Sequence, residues 1–556
     1  MSAKPRLIEM LAAQISALAA QIAMRLAVIS ERLSSASVSV AHWTATTFHA
    51  CVLAFPAWWR SWRNWRFNIY LGLLIELLLW LGAGTRFVTG AENWAIDAAM
   101  QASAAVHRDL AIQRPVTVID IDEETWRSDQ WGRGEPYRAP RKPLGTLIQY
   151  AIDKGARDII VDIVVEAPSQ DPEDSLFASD MARMAAQLKG TNRHILLTRT
   201  LREPLRAPDV LAPVWRTSPL DTAIRQSEDA LVEVAPDFET ARDGVVRKWR
   251  LWTEACEPPG ANGGTSALGE WKVLLSPQLA VKARDMHDRG PGDRSGRFGV
   301  CLWRTSGLGA AAAVPDRREA EARIDADMQT WLTSHPELTG SKLEEEKPGS
   351  THHYRFDPTS HILFTDSFPP SGTRVQVVSA LKILEAGAQA IDAKPGEANP
   401  FHLPVILSDT IIIGQSAEGA HDMHMTPLGA MPGPMVIANA LISLRHGVIG
   451  PFPEWLDFLI KLGLIVGIGW AFARWDSNVG TAVIAVLFVP VLLFSSYLLL
   501  QHGVWFDFSL PLVGIYAHRV TKGVEEYFEL KRLLSEKSVS HVAHAEPQHA
   551  NPQGEA

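Results

Sequence analysis

The sequence has no excess of basic residues. It holds 53 Lys and Arg against 62 Asp and Glu, which gives a formal net charge of −9 at pH 7. A general nucleic-acid binder needs a basic surface to displace the counterions of the phosphate backbone. We therefore predict no nucleic-acid partner.

The sequence also lacks the short motifs of the common enzyme classes. It has no P-loop, no Gly-x-Ser-x-Gly elbow and no His-Glu-x-x-His pair. A kinase glycine-rich loop with its downstream Asp motifs, a histidine-kinase ATP site and a cyclase signature are missing as well. We predict that the protein is not an enzyme and uses no cofactor or metal, although an unfamiliar hydrolase stays an alternative.

Long apolar runs are few, and their layout is informative. One run covers residues 67–87, and three more cover residues 452–473, 479–501 and 504–518. Runs of this length are typical of transmembrane helices, because a helix rises about 1.5 Å per residue and the hydrocarbon core is about 30 Å thick. The last run is short and contains Asp507 and Pro511, so a re-entrant segment is an alternative to a full crossing.

Basic residues next to these runs predict the orientation. Eight lie on one side: Arg60, Arg63, Arg66, Arg474, Arg519, Lys522, Lys531 and Arg532. Only Arg86 and Arg445 lie on the other side. The positive-inside rule then places both termini in the cytoplasm and residues 88–451 outside it, in a multi-pass protein of the bacterial inner membrane.

The predicted cytoplasmic and membrane segments carry three further features. Residues 1–66 combine an amphipathic helix, with apolar residues every three or four positions, and a Trp-rich interfacial segment. The helix can pair as a coiled coil, which would give a homodimer, or lie on the lipid bilayer. Residues 519–556 read as a helix and a disordered tail. Glu76 and Lys461 both fall near the membrane midplane, which suits an intramembrane ion pair, with Asp457 as a competing partner.

The central region has the pattern of an α/β domain. Residues 116–122 (VTVIDID), 158–165 (DIIVDIVV) and 410–414 (TIIIG) are β-branched runs typical of strands covered on both faces. Residues 143–154 have helical spacing and end at Gly155. A strand, a helix and a strand over this length predict a parallel or mixed sheet flanked by helices.

Aspartates follow these strands. Asp120, Asp122 and Asp162 lie at or near the carboxyl ends, and Gly414 opens a turn at the matching end of the later strand. Ligands tend to bind at this edge of open α/β sheets, so these residues are candidate ligand contacts. Aspartates after a strand also cap helices and turns, which is the alternative.

Two sets of residues are candidates, one for a disulfide bond and one for a metal site. Cys256 and Cys301 lie in residues 254–350, a Gly-, Pro- and charge-rich stretch that we interpret as an insertion. On the oxidising side they can form a disulfide, and two unpaired buried thiols are the alternative. His421, Asp422 and His424 can serve a metal, but no fourth ligand is recognisable, and Thr426 with Pro427 favours a tight loop.

These residues resemble the CHASE2 domain family. The first half of the resemblance rests on four short segments: residues 118–123 (VIDIDE), 140–141 (PR), 155–162 (GARDIIVD) and 174–176 (DSL). The second half rests on residues 243–247 (DGVVR), 411–414 (IIIG), 422–429 (DMHMTPLG) and 432–439 (PGPMVIAN). One predicted span before the domain and three after it complete the pattern. Departures are the segment 134–139 before Arg141 and the insertion.

The resemblance implies an extracytoplasmic sensory domain, and it adds four candidate ligand contacts: Arg141, Asp422, His424 and Thr426. Residues 519–537 resemble the helix that feeds an output domain, and we find no such domain fused. We therefore expect a sensor or adaptor that binds a periplasmic ligand or protein and signals to a separate cytoplasmic effector. A structural envelope scaffold, or a periplasmic enzyme that uses Asp122 and Asp162, are the alternatives.

Overall fold

The computed structural model describes the chain in segments. They are residues 85–107, 115–132, 139–165, 172–202, 214–215, 218–227, 229–257, 268–285, 300–302, 317–335, 338, 359–370, 374–392, 408–445, 450–451 and 454–474, with short pieces between 69 and 81 and between 479 and 534. The chain divides into two units. One comprises Met100–Gly450 and Leu500–Val504, and the other comprises the remaining residues.

The first of these units is built around a six-stranded parallel sheet. Its strands are β1 (Val116–Ile121), β2 (Asp158–Val161), β3 (His194–Thr198), β6 (Leu231–Val234), β13 (Val375–Ser379) and β14 (Thr410–Gln415), in the order β13-β1-β14-β2-β3-β6. The α/β fold with a parallel sheet is thereby confirmed. Strand β14 lies between β1 and β2, so the two strands of the predicted βαβ unit are not neighbours.

Helices cover both faces of this sheet. Six helices belong to the α/β core of the unit: α2 (Glu123–Arg127), α3 (Arg141–Asp153), α4 (Pro172–Leu188), α5 (Asp221–Gln226), α8 (Ala380–Asp392) and α9 (Gly433–Arg445). The helices outside this core that complete the numbering in chain order are α1 (Arg86–His107), α6 (Pro277–Asp285) and α7 (Arg317–Ser334). Odd-numbered strand residues such as Ile119, Ile159 and Ile411 form one core with α3, α4, α5 and α8. Helix α9 packs on β1 and β14. Burial on both faces explains why the strands read as continuous apolar runs.

Helix α3 shows how local sequence defines an element. Its apolar positions Leu144, Leu147, Ile148 and Ala151 recur at helical spacing and are fully buried against the sheet. The chain leaves the helix through Gly155, which has a φ of +82°. This left-handed conformation favours glycine, so the predicted helix stop is confirmed.

Two smaller sheets and a hairpin complete this unit. Strands β4 (Leu201–Arg202), β5 (Val214–Trp215), β9 (Trp252–Glu257), β10 (Leu268–Leu275) and β11 (Val300–Leu302) form a sheet in the order β11-β10-β9-β5-β4. Strands β7 (Phe238–Thr240), β8 (Val246–Arg250) and β12 (Thr359–His361) form a second one, and β15 (Met423–Thr426) pairs with β16 (Gly429–Pro432). Much of the predicted insertion is therefore regular: β10, α6, β11 and α7 all lie within it.

The other unit contains α10 (Glu454–Arg474), a 21-residue helix in the position of the second apolar run. A Cβ on Gly72 would lie 2.7 Å from Cγ2 of Ile465, so the backbone at Gly72 approaches α10 closely. Two short strands, Gly450–Pro451 and Val504–Trp505, each span a point in the sequence where the chain passes from one unit to the other. Among the residues that the structure describes, no helix combines the length and the apolar character needed to cross a membrane.

Candidate functional site at the carboxyl end of the sheet

The candidate site lies where β1, β14 and β2 end side by side. Asp120 of β1 is in register with Gly414 of β14, and the backbone N–H of Asp162 donates to the carbonyl oxygen of Ile413 at 2.8 Å. A Cβ on Gly414 would lie 3.4 Å from Cβ of Asp162 and would collide with the ring of Pro434 at the start of α9. The structure thus brings Asp120, Gly414 and Asp162 together on the face that α9 covers.

Asp120 is a buried acid with one of its two carboxylate oxygens hydrogen-bonded in the described segments. Its side chain accepts a hydrogen bond at Oδ2 from the Ser416 hydroxyl at 2.7 Å, and within the described segments Oδ1 has no partner. Burial raises the pKa of Asp120 to about 6, although the Ser416 hydrogen bond opposes the shift and the charge of Asp122 adds to it. The group therefore changes charge near neutral pH.

Asp162 and Asp422 form a second acidic pair. Burial raises the pKa of Asp162 well above its ordinary value, and the nearby charge of Asp422 raises it further. The carboxylate of Asp422 lies against Gly433, where a Cβ would be only 2.8 Å from Oδ1. Gly433 is the first residue of α9, so the Asp422 carboxylate lies at the positive end of the dipole of that helix.

The hairpin of β15 and β16, residues 423–432, carries the remaining predicted contacts. His424 Nε2 lies 3.2 Å from Asp422 Oδ1, and its ring meets Phe238 edge-on with centroids 6.0 Å apart. The Thr426 hydroxyl donates to the Gly429 carbonyl at 2.7 Å and accepts from the Leu428 N–H at 3.2 Å. Thr426 therefore holds the hairpin turn, which is the loop role that the sequence favoured.

Asp122 and Arg141 have structural partners. Asp122 caps α2, where Oδ1 accepts from the Thr125 N–H at 2.8 Å and from the Thr125 hydroxyl at 2.7 Å. Arg141 is almost fully buried, and its Nε donates to Asp174 Oδ1 at 2.9 Å. Both arrangements stabilise the frame of the site. Their predicted contact with a ligand stays a prediction.

Two residues that the sequence did not single out as site residues connect this region to its surroundings. Gln101 of α1 donates from Nε2 to the carbonyl oxygen of Pro427 at the hairpin turn, at 2.9 Å. Asn439 of α9 is fully buried, and its Oδ1 accepts from the N–H groups of Thr365 and Asp366 at 2.9 and 3.0 Å. A polar residue within the apolar stretch 435–442 (MVIANALI) was the available signal for Asn439. Gln101 contacts a residue 326 positions away in the sequence, and no sequence pattern indicated that contact.

Several sequence predictions stay untested. Glu76 lies outside the described residues, and with it the proposed ion pair to Lys461. Cys256 is disulfide-bonded and lies on β9. Cys301 lies on β11, and β10 is the strand between β9 and β11 in their sheet. The side chain of Cys301 is not among those described, so the pairing of these two cysteines stays a prediction. Across the described residues, no three His, Cys, Asp or Glu side chains form a group suited to a metal ion.

The fold and the site together define a class of protein: an α/β domain with a parallel sheet, covered by helices on both faces, whose acidic groups converge at the carboxyl end. Residues 71–473, most of the chain, match the model of the CHASE2 domain. The chain belongs to the CHASE2 domain family, which is a family of extracellular sensory domains. No curated protein matches the chain significantly, and no solved structure does.

Proposed function

We propose that this protein is a sensor of the bacterial inner membrane whose extracytoplasmic domain responds to a ligand or protein at the carboxyl end of its central sheet. The observation that carries the proposal is the match to an extracellular sensory family over residues 71–473. The proposed role is not catalytic. Binding or release at the site changes the domain, and the membrane helices pass the change to a cytoplasmic effector.

The chemistry of the site supports a responsive role. Asp120 keeps a buried carboxylate oxygen without a partner in the described segments, and Asp162 lies close to a second carboxylate. Burying an unpaired charge destabilises a domain by several kcal/mol, and neutralising the charge removes that penalty. A proton, a cation or a donor group from a ligand would each do so, which gives the site two states of different energy.

The hairpin offers a route from the site to the membrane. It begins beside Asp422 and turns at Pro427, whose carbonyl accepts the hydrogen bond from Gln101. Gln101 belongs to α1, the helix that follows the first apolar run in the sequence. A ligand that favours one position of the hairpin therefore acts on α1 through this bond, provided that it binds one state more tightly than the other.

The membrane arrangement is part of the proposal. It has one helix before the domain, three after it and both termini in the cytoplasm. This arrangement agrees with the four apolar runs, and with eight flanking basic residues on the predicted cytoplasmic side against two on the other side. To test it, single cysteines replace Lys154 and Glu536 in a Cys51→Ser background in intact cells. A membrane-impermeant maleimide should label the Lys154→Cys variant alone. Labelling of both positions, or of Glu536→Cys alone, would refute the orientation.

The sensory role is tested with an isosteric change at the site. Asp162→Asn removes the titratable proton of the buried acid while keeping its shape, and Asp180→Asn serves as the matched control, because Asp180 is an exposed acid on α4 that pairs with Arg183. Hydrogen exchange is measured on the full-length protein in lipid nanodiscs. We expect Asp162→Asn to alter exchange in α1 and in residues 519–537, and Asp180→Asn to alter neither. Changes confined to the neighbours of residue 162 would favour the scaffold alternative.

A further inference from the structure

Strand β15 exposes two methionine side chains. Met423 and Met425 are 42% and 54% exposed, whereas His424 and Thr426 between and after them point inward. Their cross-strand partners on β16 are Pro432 and Ala430, whose side chains carry no polar atoms. The other methionines of the described core, such as Met328 and Met431, are fully buried. The hairpin thus presents two thioethers on one face, where an extended strand usually presents polar groups.

An imidazole precedes this pair. His421 is exposed and has a φ of +54°, in the left-handed region where Asn, Asp and His are the commonest residues after Gly. In the described part of the chain its ring makes no hydrogen bond, whereas His424 is paired with Asp422. His421 is therefore a free donor next to the thioethers.

Spacing allows the three groups to converge. Alternate residues of a strand lie on one face about 6.6 Å apart, so Met423 and Met425 are neighbours there. Methionine is unbranched and has three rotatable bonds, which lets both sulfur atoms turn toward one point between them. His421 lies two residues before Met423 and can reach the same point from the end of the strand.

We propose that Met423, Met425 and His421 form a surface site for Cu(I). Thioether sulfur is a soft, neutral donor that selects soft cations, and imidazole is a common copper ligand. Hard cations such as Mg²⁺ and Ca²⁺ prefer oxygen ligands and are not served by this set. Acidic residues at the adjacent sheet end, including Asp422 and Glu418, add a negative potential that attracts a cation.

The copper site lies beside the acidic site and goes beyond the proposed function, and it rests on that function only for its signalling consequence. Cu(I) held at the hairpin binds two residues before the Pro427 turn, whose carbonyl contacts Gln101. Metal occupancy restricts the hairpin, and the restriction acts on α1. Binding itself needs no signalling.

Leucine substitutions separate a metal site from a hydrophobic docking surface. Leucine keeps the apolar character and approximate volume of methionine but has no sulfur, so Met423→Leu/Met425→Leu removes the donors alone. His421→Asn removes the imidazole while keeping a residue that tolerates the left-handed conformation. Met328→Leu, at a fully buried position, is the control.

Binding is measured on the full-length Cys51→Ser protein in nanodiscs, by competition for Cu(I) with a colorimetric chelator. We expect the Met423→Leu/Met425→Leu variant to bind Cu(I) at least tenfold more weakly than the parent, His421→Asn to fall between them, and Met328→Leu to match the parent. Ag(I), which is inert to redox change, should protect Met423 and Met425 from peroxide oxidation in residue-resolved mass spectrometry.

The outcomes separate the two proposals. Equal affinity in the parent and the Met423→Leu/Met425→Leu variant, or no protection by Ag(I), would overturn the copper site and leave the sensory role standing. The tail histidines His541, His544 and His549 are present in every variant, so binding there cannot imitate the expected loss. Binding that leaves exchange in α1 unchanged would keep the copper site and remove its link to signalling.

Discussion

Asp120→Asn tests whether the candidate site holds a buried acid that is destabilised when charged. The wild-type carboxyl is 5% exposed, is hydrogen-bonded to Ser416, and has an Oδ1 atom with no partner in the described segments. Asparagine has nearly the same shape and no charge. The substitution therefore removes the titration while it changes the packing little.

The magnitude follows from the pKa. Burial raises the pKa of Asp120 from 3.8 to about 6 in the folded protein, so the folded state holds the proton more tightly than the unfolded state. The resulting stability is present in full below pH 3.8 and is lost as the pH rises through 6. The total is about 3 kcal/mol, at about 1.4 kcal/mol per pKa unit, and about 2 kcal/mol of it falls between pH 4.5 and 8.

The assay is urea unfolding of the full-length protein in detergent micelles, followed by tryptophan fluorescence at pH 4.5 and at pH 8. As the pH rises from 4.5 to 8, we expect the free energy of unfolding of Asp120→Asn to increase by about 2 kcal/mol relative to that of the wild type. Any fixed cost of the amide group cancels in this comparison. The exposed control Asp180→Asn should show no such gain. If the difference between wild type and Asp120→Asn is the same at both pH values, Asp120 is not a destabilised acid.

Three further changes probe the frame of the site by the same unfolding assay. Arg141→Met should destabilise the protein by about 3 to 5 kcal/mol because Asp174 stays buried without the guanidinium, and adding Asp174→Leu should restore most of the loss; an unimproved double variant would contradict this. Gly414→Ala should destabilise the protein strongly, because the new methyl group would clash with the rigid ring of Pro434. Gly387→Ala lies inside α8, and its new methyl group would be 3.8 Å from the nearest atom, so this variant should stabilise the protein by about 0.5 to 1 kcal/mol. Equal effects of the two substitutions would refute the close packing at Gly414. Asn439→Leu should destabilise the protein by about 2 to 4 kcal/mol because it leaves the buried N–H groups of Thr365 and Asp366 without their acceptor, and a neutral effect would contradict this role of Asn439.

Much of the central sheet could be predicted from the sequence because its physical cause is local. The β-branched runs that begin at Val116, Asp158 and Thr410 all form strands, since a strand buried on both faces needs apolar residues at every position. The second run is shorter in the structure and ends at Val161, where the chain turns away after Asp162. The convergence of acids at the carboxyl ends followed from the parallel arrangement.

Other features could not be predicted because they depend on contacts distant in sequence. The position of β14 between β1 and β2 joins segments about 250 to 290 residues apart, and no local pattern encodes strand order. Likewise, the pairing of Arg141 with Asp174 is a tertiary contact. Asp122 was a different case, since both helix capping and ligand contact fitted its position after a strand, and the structure gives it a capping role.

The position of the hairpin explains why the site suits a sensor better than a rigid binding module. Asp422 precedes the hairpin, and Gly433, the residue directly after it, starts α9, the helix that leads in sequence toward the later apolar runs. Through Pro427, the same hairpin bonds to α1, which follows the first apolar run. One short element therefore touches both the entering and the leaving helix of the domain. Because Gly433 has no side chain, the Asp422 carboxylate lies directly against the first turn of α9, and in the proposed signalling route a change at the site reaches both helices through the hairpin.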